Sequence, residues 1–350
     1  MSVSAIKIGE VPAWLDAKGP DGDIVVSTRL RLARNLSNHR FPVAASQQER
    51  KDVFEEVLDA LKRIERFHNF TSYNFRRLPR LDQQMLVEER VASPDLLDVE
   101  GERGVVSDSA RRINVMINEE DHLRMQCIDS GCGPESMFDM LDAIDTSIGD
   151  KLPFAYDVKR GFLTSCPTNA GTGMRVSYLV HLPGLVLTKT VDQVLQAAAQ
   201  MGVCTRGFFG EHAGIVGAFF QLSNQAALGT GEKEFIKQTR SAIRTIVGCE
   251  RESREKIMHN AKAELEDKVW RAYGIIAYAT TLSVGEFLNL SSALRLGIES
   301  GIFNKVTVRR LNRIMLLVLP AHLQAFLGRT MNDDDINRER AGMVRTLFKE

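Results

Sequence analysis

Hydrophobic and polar positions follow two periods along this chain, and the change of period divides it. Up to about residue 230, short apolar runs at strand spacing alternate with amphipathic helical stretches. Asp23 to Leu36 opens on a β-like run, Ile24-Val25-Val26-Ser27-Thr28, after which arginines recur at 29, 31 and 34. Residues 46–64 predict a helix: Ser46 and Glu49 form a capping box, and Val53, Val57, Leu58, Leu61 and Ile64 line one face. Asn69 to Leu78 and Gln84 to Glu89 read as strands, and Val105-Val106 with Ile113 to Ile117 as a hairpin-like pair across a polar break. Glu135 to Ile148 is helical, and Val176 to Leu182 reads as a strand leaving the loop after Cys166. Thr190 to Met201 predicts a helix with Gly202 as its stop and Thr190 with Gln193 as a capping box, and Val216 to Leu222 a closing strand.

Beyond about residue 232 the texture is helical throughout. Glu232 to Tyr273 is charged and helix-prone. Ser283 and Glu286 cap a helix, followed by a short helical run ending near Gly301. Thr307 to Pro320, Ala321 to Gly328 and Asn337 to Lys349 continue in helical period. The expectation is an α+β fold, an antiparallel sheet flanked by helices, with a helical C-terminal domain. The boundary falls in 230–255 and is drawn as 1–240 and 241–350. In the C-terminal part, Leu311, Ile314, Met315, Val318 and Leu319 make an apolar stripe, with Arg309, Arg310 and Arg313 on the other side; core packing is the expected use.

Composition narrows the classes of function. The 350 residues are 44% hydrophobic and 26% charged, with 45 basic and 45 acidic residues, so bulk charge points to neither nucleic acid nor membrane as partner. Met1 to Glu10 has no apolar run behind basic residues, and no stretch approaches the ~18 apolar residues of a membrane span. Five scattered cysteines, none at a zinc spacing, fit reduced thiols in the cytoplasm.

Three strings carry candidate chemistry: Ile117-Asn118-Glu119-Glu120-Asp121-His122-Leu123-Arg124, Cys166-Pro167-Thr168-Asn169-Ala170-Gly171-Thr172-Gly173-Met174-Arg175 and Arg206-Gly207-Phe208-Phe209-Gly210-Glu211-His212. Glu120 and Glu211 are candidates to grip the two edges of a guanidinium and to take its proton. The alternative is that Glu119, Glu120 and Asp121 are a solvated turn. Neither a P-loop nor a protein-kinase glycine loop is present, so any polyphosphate must be held otherwise. Arginine forks match phosphate geometry. Arg29 and Arg31 share a face if 27–31 is extended, and Arg124, Arg175 and Arg206 lie within a few residues of Glu120, Cys166 or Glu211. Cys166 precedes a glycine-containing loop rich in backbone N–H donors; beside a cation it would be a thiolate, and otherwise a small buried hydrophobe.

Taken in order, Ser27-Thr28-Arg29-Leu30-Arg31-Leu32-Ala33-Arg34-Asn35 and these three blocks resemble the guanidino (phosphagen) kinases over residues ~24 to ~230. The likeness is closer to a bacterial branch of that family, the protein-arginine kinases. The first block starts near residue 24, which predicts that the N-terminal helical domain of classical phosphagen kinases is lacking. Phe220-Gln221-Leu222-Ser223-Asn224-Gln225 resembles the bacterial form, and a helical C-terminal domain follows; His212 after Glu211 instead follows the phosphagen kinases.

The resemblance implies roles: Glu120 as main catalytic carboxylate, Glu211 as its partner, Cys166 as active-site thiol, and Ser27, Arg29, Arg31, Arg124, Arg175 and Arg206 around ATP, with Mg²⁺ riding on the nucleotide and no protein metal site. It further implies protein substrates, a small zinc-binding activator, a Clp-type AAA+ protease and a homodimer. Small free guanidines as acceptors, or a phosphoarginine-binding regulator without turnover, are the alternatives. Near the C-terminus the branch reads Arg-Asp-x-x-Arg-Ala, a phosphoarginine-sensing pocket. This chain reads Ile336-Asn337-Arg338-Glu339-Arg340-Ala341, which leaves Asn337 and Arg340 as allosteric candidates without the leading arginine.

Overall fold

The computed structural model describes residues 11–207, 216–224 and 231–349. Among these, eight strands form one antiparallel sheet in the order β2-β3-β4-β5-β1-β8-β10-β9. They are β1 (Val25–Arg34), β2 (Thr71–Asn74), β3 (Gly104–Ser107), β4 (Ile113–Ile117), β5 (Leu123–Ser130), β8 (Met174–His181), β9 (Val203–Gly207) and β10 (Phe219–Asn224). Two short strands, β6 (Tyr156–Asp157) and β7 (Gly161–Phe162), pair apart from it. The first helices are α1 (Gln47–Lys62), α2 (Arg80–Glu88), α3 (Pro134–Gly149), α4 (Pro183–Leu187) and α5 (Val191–Gln200). Then come α6 (Glu232–Asn260), α7 (Lys262–Tyr278), α8 (Val284–Glu299), α9 (Val308–Leu317), α10 (Pro320–Leu327) and α11 (Asp333–Lys349). None is long and apolar enough to cross a membrane among the described residues.

Alternation in the central strands gives the sheet two unlike faces. Leu30 and Leu32 of β1, Met125 and Cys127 of β5 and Val176 and Tyr178 of β8 point into a core shared with α1, α3, α5 and α6. The opposite face is apolar towards both ends: Val105 and Met116 join Phe75, Leu86, Val91 and Leu96 at one, and the other lies beyond the arginines. There Ile128, Leu179 and Phe219 join Trp14 and Leu15 in a second core built largely from α7 to α11. The rest of that face carries Arg29, Arg31, Arg124 and Arg175. Helix α6 belongs to both regions: Phe235 to Val247 enter the first core, and Ile257 and Met258 pack on the second.

Several local expectations hold. The Ser46–Glu49 capping box is complete, with Ser46 Oγ accepting from the Glu49 N–H at 3.2 Å and Glu49 Oε2 accepting from the Ser46 N–H at 2.8 Å. The Val105 and Ile113 segments pair antiparallel, and Gly202 ends α5 at φ +80°.

Others are corrected. Gln84 to Glu89 is not a strand: Gln84 to Glu88 is the second half of α2, and Glu89 is its C-cap. Its Met85-Leu86-Val87 run is too short to reveal its period, and what fixes the helix is the Gln83 amide, which donates to the Phe75 and Leu78 carbonyls at 2.7 and 2.8 Å. Only Thr71–Asn74 of the segment 69–78 is extended. Thr190 does not cap α5: its backbone is turned in, and its hydroxyl pairs with Thr188 at 2.9 Å. The closing strand begins at Phe219, with Val216 in an isolated bridge to it. Ser283 to Gly301 holds one helix, α8, and α11 begins before Asn337.

Candidate active site

The polar face of the sheet is a cluster of guanidiniums. Cross-strand register sets Arg31 of β1 opposite Arg175 of β8 on one side and Gln126 of β5 on the other. Arg29 lies two residues back along β1, its Nε 3.4 Å from Ser177 Oγ. Arg124 is two residues from Gln126 along β5. Like charges on directly opposed residues are destabilising, and here burial adds to the cost. Burial first, then the neighbouring arginines, push both Arg29 and Arg31 well below the usual guanidinium range. Arginine stays charged at neutral pH all the same, so the unfavourable energy appears as affinity for an anion. Arg31 Nε is buried with no hydrogen-bond partner among the described residues. A polyphosphate fits this donor set better than any single carboxylate, because its charge is spread over several oxygens. ADP or inorganic triphosphate should therefore raise Tm at low ionic strength, and the shift should shrink with added salt. No shift on adding ligand, or a shift that salt does not change, would remove the cluster as an anion site.

Ser27 is buried in β1 two residues before Arg29. Arg206 is described by its backbone, which β9 sets opposite Gln221. Arg90, which sequence reasoning does not single out, joins the cluster. It follows α2 in the left-handed conformation at φ +62°, its guanidinium lies 4.9 Å from the Trp14 ring, and Gln126 Nε2 donates to its carbonyl at 2.6 Å. A positive φ at a bulky non-glycine residue after a helix is its only signal, and that is invisible in sequence.

The acidic block occupies the tight turn between β4 and β5. Asn118 turns it at φ +57°, and its amide donates to the Arg50 and Glu102 carbonyls at 2.6 and 2.9 Å. The turn is not solvated. Glu119 and Asp121 are buried, and only Glu120 reaches out, its side chain 40% exposed. The Arg124 fork spans both glutamates, with Nη1 2.5 Å from Glu119 Oε1 and Nη2 2.8 Å from Glu120 Oε2. Partial burial raises the Glu120 carboxyl above its ordinary range; Arg124 opposes this, and Asp121 and Glu119 add to it. Glu119, which the sequence does not mark out as an individual residue, also accepts from the Ser93 hydroxyl. Its neighbours in the Glu-Glu-Asp run conceal that one carboxylate points in and the next out.

Asp121 ties the turn to the cysteine loop. Its Oδ1 accepts from the Asn35 amide at 2.6 Å and from the Ser165 N–H at 2.7 Å, one residue before Cys166. From the same loop Asn169 Nδ2 donates to Glu120 Oε2 at 3.2 Å. Cys166 Sγ lies 3.0 Å from Thr168 Oγ1. Close backbone approach shapes the loop: Gly161 and Gly173 adopt φ +73° and +65°, and a Cβ on either would fall within 2.6 Å of a carbonyl oxygen. Arg34, third of the β1 arginines, points to the other face. It is buried, bonded to Asp145 through Nε and Nη2, stacked 3.4 Å over Phe162, and donates to the Thr172 carbonyl at 2.9 Å.

The structure thus brings together Glu120, Cys166, Arg29, Arg31, Arg124 and Arg175. Glu211 lies outside the described residues. Asn337 and Arg340 are elsewhere, in α11. Arg340 is buried, and its Nε and Nη1 donate to the Val318 and Leu282 carbonyls at 2.7 and 2.9 Å, Nη1 also to the Asn337 amide oxygen.

The chain matches known proteins along its whole length. Residues 52–253 match the model of the ATP:guanido phosphotransferase C-terminal catalytic domain, and residues 262–350 that of the protein-arginine kinase McsB C-terminal domain. A protein-arginine kinase of Bacillus cereus (strain AH820) is 37% identical over 353 residues, covering 100% of this chain and 99% of that one. One of Halalkalibacterium halodurans is 36% identical over 357 residues, covering 100% and 98%. Among solved structures, the duplicated taurocyamine kinase of Schistosoma mansoni with bound transition-state analogue components superposes at TM-score 0.61 and 26% identity over 69% of this chain and 36% of that one. A lombricine kinase superposes at 0.59 and 24% over 68% and 70%, a likeness of fold.

Proposed function

The chain belongs to the ATP:guanido phosphotransferase family, and from that premise we propose that it moves the γ-phosphoryl group of ATP, carried with Mg²⁺, onto arginine side chains of proteins. The observation that supports this best is the join between a partly exposed glutamate and a buried arginine cluster: Arg124 bonds Glu120 and stands on the same face as Arg29, Arg31 and Arg175. A guanidinium is a poor nucleophile while fully protonated. Glu120 would orient it and accept one N–H proton as the N–P bond forms and the bond from the γ-phosphorus to the ADP oxygen breaks. Arg29, Arg31, Arg175 and Arg206 would hold the phosphate oxygens, with Ser27 beside them. Arg124 would serve both ends, and Mg²⁺ would screen the phosphates. Glu211 would grip the far edge of the guanidinium, and Cys166 would sit beside it. The part drawn as residues 1–240 would carry this chemistry and 241–350 would add the helical region, the two sharing the unbroken α6.

Relatives named protein-arginine kinase, matched over the full chain, support the choice of acceptor. The finer reading is a cytoplasmic homodimer, with a zinc-binding activator, that marks proteins for a Clp-type AAA+ protease under stress. The test is an assay with γ-labelled ATP and Mg²⁺, offering an unfolded protein and free arginine in parallel. Label on protein that is lost in acid is the expected result, since N–P bonds are acid-labile. Label on free arginine alone would reassign the acceptor to a small guanidine.

A further inference from the structure

We propose that a charge clip between α10 and α2 positions the segment carrying Arg90 and Ser93, and so ties the C-terminal helices to the nucleotide end of the site. The inference rests on the kinase reading above. Glu88, the last residue of α2, takes up the start of α10: Oε1 accepts the Ala321 N–H at 2.8 Å, and Oε2 accepts the His322 N–H at 2.9 Å. His322 Nδ1 lies 2.6 Å from the same Oε2, and Nε2 is in ionic contact with Glu89 Oε1 at 3.5 Å. His322 is almost fully buried, so two carboxylates and one imidazole share a site closed to water.

Beyond the end of α2 the chain forms a short bridge to the chemistry. The Glu89 carbonyl accepts from Trp14 Nε1 at 2.9 Å. Arg90 comes next in its left-handed turn, held through its carbonyl by Gln126, which stands opposite Arg31. Ser93 then donates to Glu119, the buried partner of Arg124. Each link from His322 to Arg124 is therefore a hydrogen bond, an ion contact or a few residues of backbone. Energetic coupling needs such a physical chain, and the charge on His322 is the handle by which it can be switched.

The charged groups facing His322 are Glu88 and Glu89 of α2. Arg111, between β3 and β4, lies 3.2 Å from Glu89, and Arg340 of α11 acts on Glu88 from further off. Burial alone would lower the imidazole, but the two glutamates outweigh it and hold it at about 9. The folded value lies above the ordinary one of ~6.5. The clip's contribution is therefore complete below that ordinary value and is lost as pH rises through about 9.

The test uses the full chain. His322→Gln fills the site but carries no charge at any pH. It should raise the KM for ATP about fivefold or more, the usual size of a coupling between sites, while kcat at saturation changes far less. The wild-type KM should climb toward the variant's as pH passes 9, and the variant's should stay flat across that interval. Trp14 sits under Arg90. In a Trp270→Phe background its fluorescence should respond to ADP in the wild type and respond less in the variant. Glu88→Gln, which removes the carboxylate charge and keeps one of the two acceptors for α10, serves if His322→Gln does not fold. Unchanged KM and an unchanged Trp14 response, with only a lower Tm, would overturn the clip and leave it as packing. A wild-type chain that binds no nucleotide would overturn the kinase reading and this inference together.

Discussion

Replacing Glu120 by glutamine should lower turnover at least ~10²-fold, the usual worth of a positioned acid–base group, while ATP affinity stays close to that of the unaltered chain. The two effects separate because of where the residue sits. Glutamine keeps the shape and still accepts from Arg124 and Asn169, whereas Arg29, Arg31 and Arg175 lie on strands the change does not touch. The acceptor of the guanidinium proton is what disappears. The pH profile carries a second signature. The Glu120 carboxyl is raised, chiefly by partial burial, so turnover should fall on the acid side at a higher pH than an exposed glutamate would give. That limb should be missing from the residual activity of the glutamine variant. Steady-state kinetics with nucleotide titration decides: an unchanged kcat would remove Glu120 from the chemistry.

Asp145→Ala should cost about 3–5 kcal/mol of stability, the range for stranding one partner of a buried ion pair. Arg34 is 2% exposed and bonds Asp145 through both Nε and Nη2, and among the described residues no other carboxylate pairs with it. Losing Asp145 leaves a charge in a pocket walled by Phe162 and the Thr172 carbonyl. The damage should also reach the cysteine loop, because Arg34 is one of the ties that hold 172 against β1. Alkylation of Cys166 should change in rate together with the fall in the denaturation midpoint. Arg34→Met with Asp145→Leu, which removes both charges, should recover much of the loss. Equal destabilisation of the single and double variants would show that packing, not charge, is at stake.

The chain shows its fold where periodicity and capping agree, and hides it where they do not. The paired runs Val105-Val106 and Ile113 to Ile117 need no tertiary information, and neither does the Ser46–Glu49 box, whereas β5 is not among the strands expected from the sequence. The segment 84–89 misleads because three apolar residues in a row suit a strand or a buried helix equally. Its helix is decided by one amide reaching the carbonyls of the preceding turn. At the site, Arg29 and Arg31 are legible from the strand period and Arg124, Arg175 and Glu120 from the blocks they stand in, whereas Arg90 is not. The division of labour within Glu119-Glu120-Asp121 is not. It depends on Asn118 turning the chain, on Ser93 arriving from another loop and on Asn35 crossing from β1. Arg34 recurs in the same run as Arg29 and Arg31, but it differs from them in parity and lies on the other face with Asp145.

Helix α6 sets how the two halves of the protein can be separated. It runs unbroken from Glu232 to Asn260, and the chain leaves the helical conformation at Ala261 alone (φ −144°, ψ 37°) before α7 begins. A scissile cut between 240 and 241 would sever a rod in mid-span, leaving a ragged end on one fragment and an unfinished core in the other. A clean division lies at the joint. The distal helices do not hang from that joint alone, because the second core and the α2–α10 contacts also hold them to the sheet.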